Sequence, residues 1–168
     1  WSKVTLPRAF NEDEAFKVSI EQLTDTVMWY RKHFKANPAW KGKRVLLDFE
    51  GIMLVGDVWV NGRKVGSTDY GYLGFETDIT DLLKYDEVVA VWASTGKKNG
   101  SRWYTGGGLF RDVHLVIKNP IAIARHGVFV STPKITEQRA EVSVQVELEG
   151  IRNKSLDIEI NARILAPD

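Results

Sequence analysis

Apolar and polar residues alternate with a period of two along most of this chain, the pattern of strands with one buried and one wet face. Residues 43–50 set Val45, Leu47 and Phe49 inward against Arg44, Asp48 and Glu50 outward. Residues 27–34 are rich in aromatic and β-branched side chains and stop at Asn37-Pro38, which predicts another strand. In residues 57–66, Asn61-Gly62 is the dipeptide that populates the positive φ values of a type I′ turn. It predicts a two-residue hairpin with Val58 and Val60 on one side and Trp59 on the other. The unbroken apolar run 87–93 predicts a strand buried on both faces. Residues 113–117 resume strand character, and His114 alternates with Val113 and Leu115, so it reads as a surface histidine. Tyr70-Gly71-Tyr72 is a glycine-hinged aromatic pair ahead of the extended stretch 75–78, after which Asp78 or Thr80 can cap a single turn through Leu82-Leu83. The first twenty-six residues fit neither period. There the acidic run Asn11-Glu12-Asp13-Glu14 predicts an irregular excursion with one short helical turn.

The pattern changes after Lys118-Asn119-Pro120. Three more strand signals follow at 127–131, 140–148 and 156–164, and they lack the aromatics of the first region. An immunoglobulin-like sandwich needs about seven strands, more than these residues supply. The expectation is an all-β chain with one domain over residues 1–118 and a second, cut short, over 119–168.

Composition narrows the function classes. The 168 residues are 43% apolar, and 23 Lys+Arg against 22 Asp+Glu give a formal net charge of +1. A polyanion binder is more lopsided, so no nucleic-acid partner is expected. No run of about 18 apolar residues is present to span a bilayer, so no membrane partner is expected either. The first residues lack the apolar core of a signal peptide. Cysteine is absent, which excludes disulfides, thiolate chemistry and a cysteine-rich zinc site. That absence leaves the compartment open, with a periplasmic or secreted location preferred to a cytoplasmic one. Aromatic residues make up 11% of the chain and serve sheet cores first and sugar-stacking platforms second.

Residues 101–113 are the densest stretch: Ser101-Arg102-Trp103-Tyr104-Thr105, three glycines, then Leu109-Phe110-Arg111-Asp112-Val113. The glycines can serve a tight entry into a strand while the rings cover a core, or the whole stretch can be a ligand-facing loop. Arg102, Trp103 and Tyr104 are the candidate ligand contacts. Asn11, Glu12 and Asp13 are either a solvated loop or polar groups aimed into a site, where amide and carboxylate oxygens accept hydroxyl hydrogens.

The succession Trp29-Tyr30-Arg31-Lys32, Trp40-Lys41-Gly42-Lys43-Arg44-Val45, Asp48-Phe49-Glu50-Gly51, Val58-Trp59-Val60-Asn61-Gly62, Gly71-Tyr72 with Phe75, Asp78-Ile79-Thr80, Ser101-Arg102-Trp103-Tyr104 and Phe110-Arg111-Asp112-Val113 resembles the amino-terminal sugar-binding domain of glycoside hydrolase family 2. That family includes β-galactosidases, β-glucuronidases and β-mannosidases. The resemblance spans residues 27–118, and more weakly 1–26. It implies a jelly-roll, galactose-binding-like β-sandwich followed by an immunoglobulin-like β-sandwich, with a (β/α)₈ barrel beyond it as the partner that carries the chemistry. It also implies that the two catalytic glutamates, about 5 to 5.5 Å apart in a retaining enzyme, lie on that barrel. No catalytic residue, cofactor or metal is therefore expected here. Asn11-Glu12 resembles an acid/base Asn-Glu pair only superficially, since it lies in an amino-terminal loop.

By the same resemblance, Arg102, Trp103 and Tyr104 lie on a loop that reaches the rim of the barrel's pocket, facing a β-galactoside or related glycan. Ser101 stands where the best-known β-galactosidases place an aspartate that holds a sodium ion and the sugar, so neither that ion nor strict galactose preference is implied. A free-standing carbohydrate-binding module is the alternative reading.

Overall fold

The computed structural model describes residues 1–14, 17–19, 22, 24–84, 87–96, 106–150 and 157–165. The chain divides into two compact units, Trp1–Asn119 and Pro120–Asp168.

The first unit is a jelly-roll β-sandwich. One sheet has four antiparallel strands in the order β2 (Val27–Phe34), β7 (Glu87–Ser94), β4 (Val55–Val60) and β5 (Arg63–Thr68). The other has three, in the order β6 (Phe75–Asp78), β3 (Arg44–Phe49) and β9 (Val113–Lys118). Two short strands, β1 (Arg8–Ala9) and β8 (Gly108–Leu109), pair outside these sheets. Val45, Leu47 and Phe49 from β3 meet Val58 and Val60 from β4 and Val89, Val91 and Ala93 from β7 in one core, with Ile52, Ile79 and Leu109. Burial of each large side chain contributes about 1.5–3 kcal/mol. Phe49 stacks on Phe75 of β6 with ring centroids 5.2 Å apart.

The hairpin forms where the sequence predicts it. Asn61 and Gly62 have φ of 50° and 81°, and Val58 and Val60 are fully buried. Trp59 takes the other face and packs on Trp29 of β2, centroids 5.3 Å apart. The acidic run holds a single 3₁₀ turn, Glu12–Glu14, and a second turn spans Thr80–Leu82. The N-cap of that second turn is Ile79, which makes no side-chain cap, while Asp78 Oδ1 one residue earlier accepts the Thr80 amide at 3.0 Å.

One strand departs from expectation. β7 is not buried on both faces: Glu87, Val89, Val91 and Ala93 are buried while the alternate residues are only partly covered. It lies between β2 and β4 within its sheet, with the other sheet on one side only. β2 is an edge strand, and Val27, Met28 and Trp29 remain exposed.

In the second unit, β10 (Ala122–Ile135) pairs antiparallel with β11 (Ala140–Glu149). The turn between them is closed by Thr136, whose amide donates to the Arg139 carbonyl at 2.7 Å. Residues 157–165 alternate like a strand but form none, and Ile158, Ile160 and Ile164 are exposed. Alternation marks a face to bury, and a strand also needs a hydrogen-bonded neighbour, which β10 provides for β11.

Candidate functional site

Of the predicted ligand contacts, Arg102, Trp103 and Tyr104 lie outside the described residues. The residues on either side of this stretch are described. On its amino-terminal side, Thr95 is buried, donates its amide to the Thr26 carbonyl at 3.3 Å and accepts the Thr26 amide on Oγ1 at 3.3 Å. On its carboxy-terminal side, Gly107 donates to Asn11 Oδ1 at 2.9 Å and accepts the Phe10 amide at 2.9 Å. Gly108 and Met53 exchange both backbone hydrogen bonds, at 2.6 and 2.9 Å.

Glycine is required at position 108 by geometry. Its φ is +94°, and a Cβ there would stand 2.1 Å from the Tyr30 hydroxyl oxygen. Tyr30 Oη in turn donates to the Arg8 carbonyl at 3.2 Å. Burial pushes the Tyr30 phenol above its ordinary range.

Asn11, only 1% exposed, therefore meets the glycine segment across a separation of 96 residues. Glu12 and Asp13 do something different: both carboxylates grip the Arg8 guanidinium, Asp13 at 2.8 Å. The second Glu12 oxygen accepts the Ala9 amide at 3.2 Å. The structure thus brings the amino-terminal candidates to the root of β8.

A cleft of about 1210 Å³ opens beside this root. Trp1, Leu6 and Phe10 line one side, with Trp29 and Tyr30 of β2 and Leu115 of β9 among its other walls. Among the described residues, no Asp or Glu lines it.

A second cluster escaped the sequence reading. Antiparallel pairing sets Asp48 opposite His114 and Phe49 opposite Val113, and the Glu50 amide donates to the Asp112 carbonyl at 3.1 Å. Glu50, Asp112 and His114 consequently share one face of the sheet, with ligand atoms all within 4.8 Å of one another. The Asp112-x-His114 spacing at the start of β9 was the available signal, but Glu50 is more than sixty positions away and only the register brings it in.

Residues 5–102 match the family model described as glycosyl hydrolase 2 galactose-binding domain-like. The chain belongs to glycoside hydrolase family 2. Among its relatives in that family, a β-galactosidase of Bacteroides ovatus is 36% identical over 73% of this chain and 15% of its own length. A putative β-glucuronidase of Formosa agariphila is 32% identical over 82% of this chain and 14% of its own. The crystal structure of a family 2 member from Bacteroides cellulosilyticus superposes with a TM-score of 0.79 at 36% identity, covering 89% of this chain and 21% of that one. The family 2 chain described here thus spans about a seventh to a fifth of the length of these proteins.

Proposed function

We propose that this chain is the non-catalytic amino-terminal portion of a family 2 retaining β-glycosidase. The observation that carries the reading is the family match over residues 5–102, shared with relatives that are named β-galactosidases and β-glucuronidases and are several times longer. In this reading the jelly-roll supports a catalytic barrel elsewhere in the same polypeptide. The loop holding Arg102, Trp103 and Tyr104 reaches the rim of the barrel's sugar pocket, where the guanidinium donates to hydroxyl or carboxylate oxygens and the rings wall the sugar. Asn11, Glu12 and Asp13 act there at one remove: Asn11 fixes the loop's root through Gly107, and the two carboxylates hold Arg8. The second unit is the beginning of an immunoglobulin-like sandwich.

The substrate is a β-glycoside, with β-galactoside and β-glucuronide as the two classes to compare. Hydrolysis with retention needs an acid/base and a nucleophile about 5 to 5.5 Å apart across the scissile bond, and in this reading both lie on the barrel.

Two measurements test the proposal. The purified chain is expected to release no nitrophenol from nitrophenyl β-galactoside or β-glucuronide, and turnover by it overturns the non-catalytic reading. In the full-length polypeptide, Trp103→Ala is expected to raise KM for the preferred glycoside with the fold intact by circular dichroism. Unchanged kinetics overturns the rim role. Saturable glycan binding by the chain alone, lost on Trp103→Ala, instead identifies a free-standing carbohydrate-binding module.

A further inference from the structure

We propose that Glu50, Asp112 and His114 form a divalent transition-metal site on the outer face of the three-stranded sheet, with Zn²⁺ as the ion it takes. The proposal does not depend on the family's chemistry.

The geometry is set by the backbone. Glu50 follows the last residue of β3, His114 sits in β9, and Asp112 lies in the turn just before β9. The antiparallel register between β3 and β9 and the Glu50 amide to Asp112 carbonyl bond hold these three backbone positions together. Glu50 Oε1 lies 3.2 Å from His114 Nε2. Ligands bound to Zn²⁺ at about 2.0–2.1 Å in a tetrahedron stand roughly 3.3 Å apart, so this pair already spans one tetrahedral edge. An Asp112 carboxylate oxygen is within 4.8 Å of both and closes the third corner by side-chain rotation. Among the described residues, no hydrogen bond or ion pair holds that carboxylate elsewhere. Arg111, the adjacent cation, lays its guanidinium 5.3 Å over the Phe110 ring.

The donor set selects the ion. Two carboxylates beside a neutral imidazole place two negative charges in one cluster, which a divalent cation neutralises. Calcium and magnesium prefer all-oxygen shells, whereas an imidazole nitrogen favours zinc and its neighbours. Glu50 and His114 are each about half exposed, side chains 45% and 52%, so the fourth position is open to water. A bound ion would tie the end of β3 to the turn that delivers β9. Its role there is to brace the sheet.

The test is calorimetric titration of the whole chain with zinc chloride near pH 7.5. One Zn²⁺ per chain is expected. His114→Ala and Asp112→Asn are each expected to weaken binding by about tenfold or more. The His33→Ala/His126→Ala double variant is expected to bind as the parent does, with circular dichroism verifying the fold of every variant. Absence of saturable Zn²⁺ binding overturns the proposal, as does binding that survives His114→Ala. Calcium chloride binding with equal affinity overturns the assignment of the imidazole as a ligand.

Discussion

Asn61 closes the β4–β5 hairpin and also joins a buried polar network. Its Nδ2 donates to Glu87 Oε2 at 2.6 Å and to the Leu82 carbonyl at 3.0 Å, while its Oδ1 accepts the Val88 amide at 3.0 Å. Glu87 is fully buried, and its other oxygen accepts the Lys84 amide. Asn61→Gly separates the two roles, because glycine accepts the positive φ of the turn but supplies no side chain. Losing two neutral hydrogen bonds costs about 1 kcal/mol each, and losing the bond to the buried carboxylate costs roughly 1.5–3 kcal/mol.

Relief of the left-handed backbone offsets less than about 1 kcal/mol of this, since asparagine already tolerates that region. The net expectation is a loss of about 3 kcal/mol. With an m value of about 2 kcal/mol/M, the urea midpoint falls by roughly 1.5 M. All six tryptophans lie within the first 103 residues, so tryptophan fluorescence reads this unit alone. Asn61→Asp keeps the turn and the acceptor for Val88, but sets a second carboxylate against Glu87, and it is expected to be less stable than Asn61→Gly. A glycine variant as stable as the parent would refute the reasoning, because turn chemistry alone would then explain the residue.

Gly108→Ala is expected to lower the thermal midpoint sharply through its φ of +94° and the contact with Tyr30 Oη. Adding Tyr30→Phe should restore part of the loss, which a double-mutant cycle by calorimetry measures. Asn11→Ala leaves the Gly107 amide without its acceptor in a buried site and should cost about 1–3 kcal/mol in urea unfolding. Burial alone would raise the Asp78 carboxyl, but hydrogen bonds from Thr80 and the Arg44 guanidinium outweigh it and hold the group below its usual range. Its folded value is thus below the unfolded value of about 3.9, so its contribution is complete above that pH and is lost as pH falls through the folded value. Asp78→Asn should therefore narrow the stability difference between pH 6 and pH 3, followed by urea midpoints at the two pH values.

The alternation of Val45, Leu47 and Phe49, and of Val58 and Val60, determined which side chains fill the core, because a strand's two faces are fixed by its period. Asn61-Gly62 determined the hairpin, because few dipeptides accept two positive φ values in succession. The ordered motifs carried the family, which the match over residues 5–102 bears out. Long-range placement was decided only by the tertiary structure. Nothing near Asn61 in sequence marks Glu87 and Leu82 as its partners, and nothing near Asn11 marks Gly107. β7 reads as buried on both faces, yet one of its faces is only half covered, since an apolar run records what a strand tolerates and the fold decides what lies above it. For residues 157–165 the period is present and the strand is not, because pairing depends on a neighbour that no local pattern supplies. The Glu50, Asp112 and His114 cluster belongs to the same class: strand periodicity put each side chain on a face, and the register of β3 against β9 made them meet.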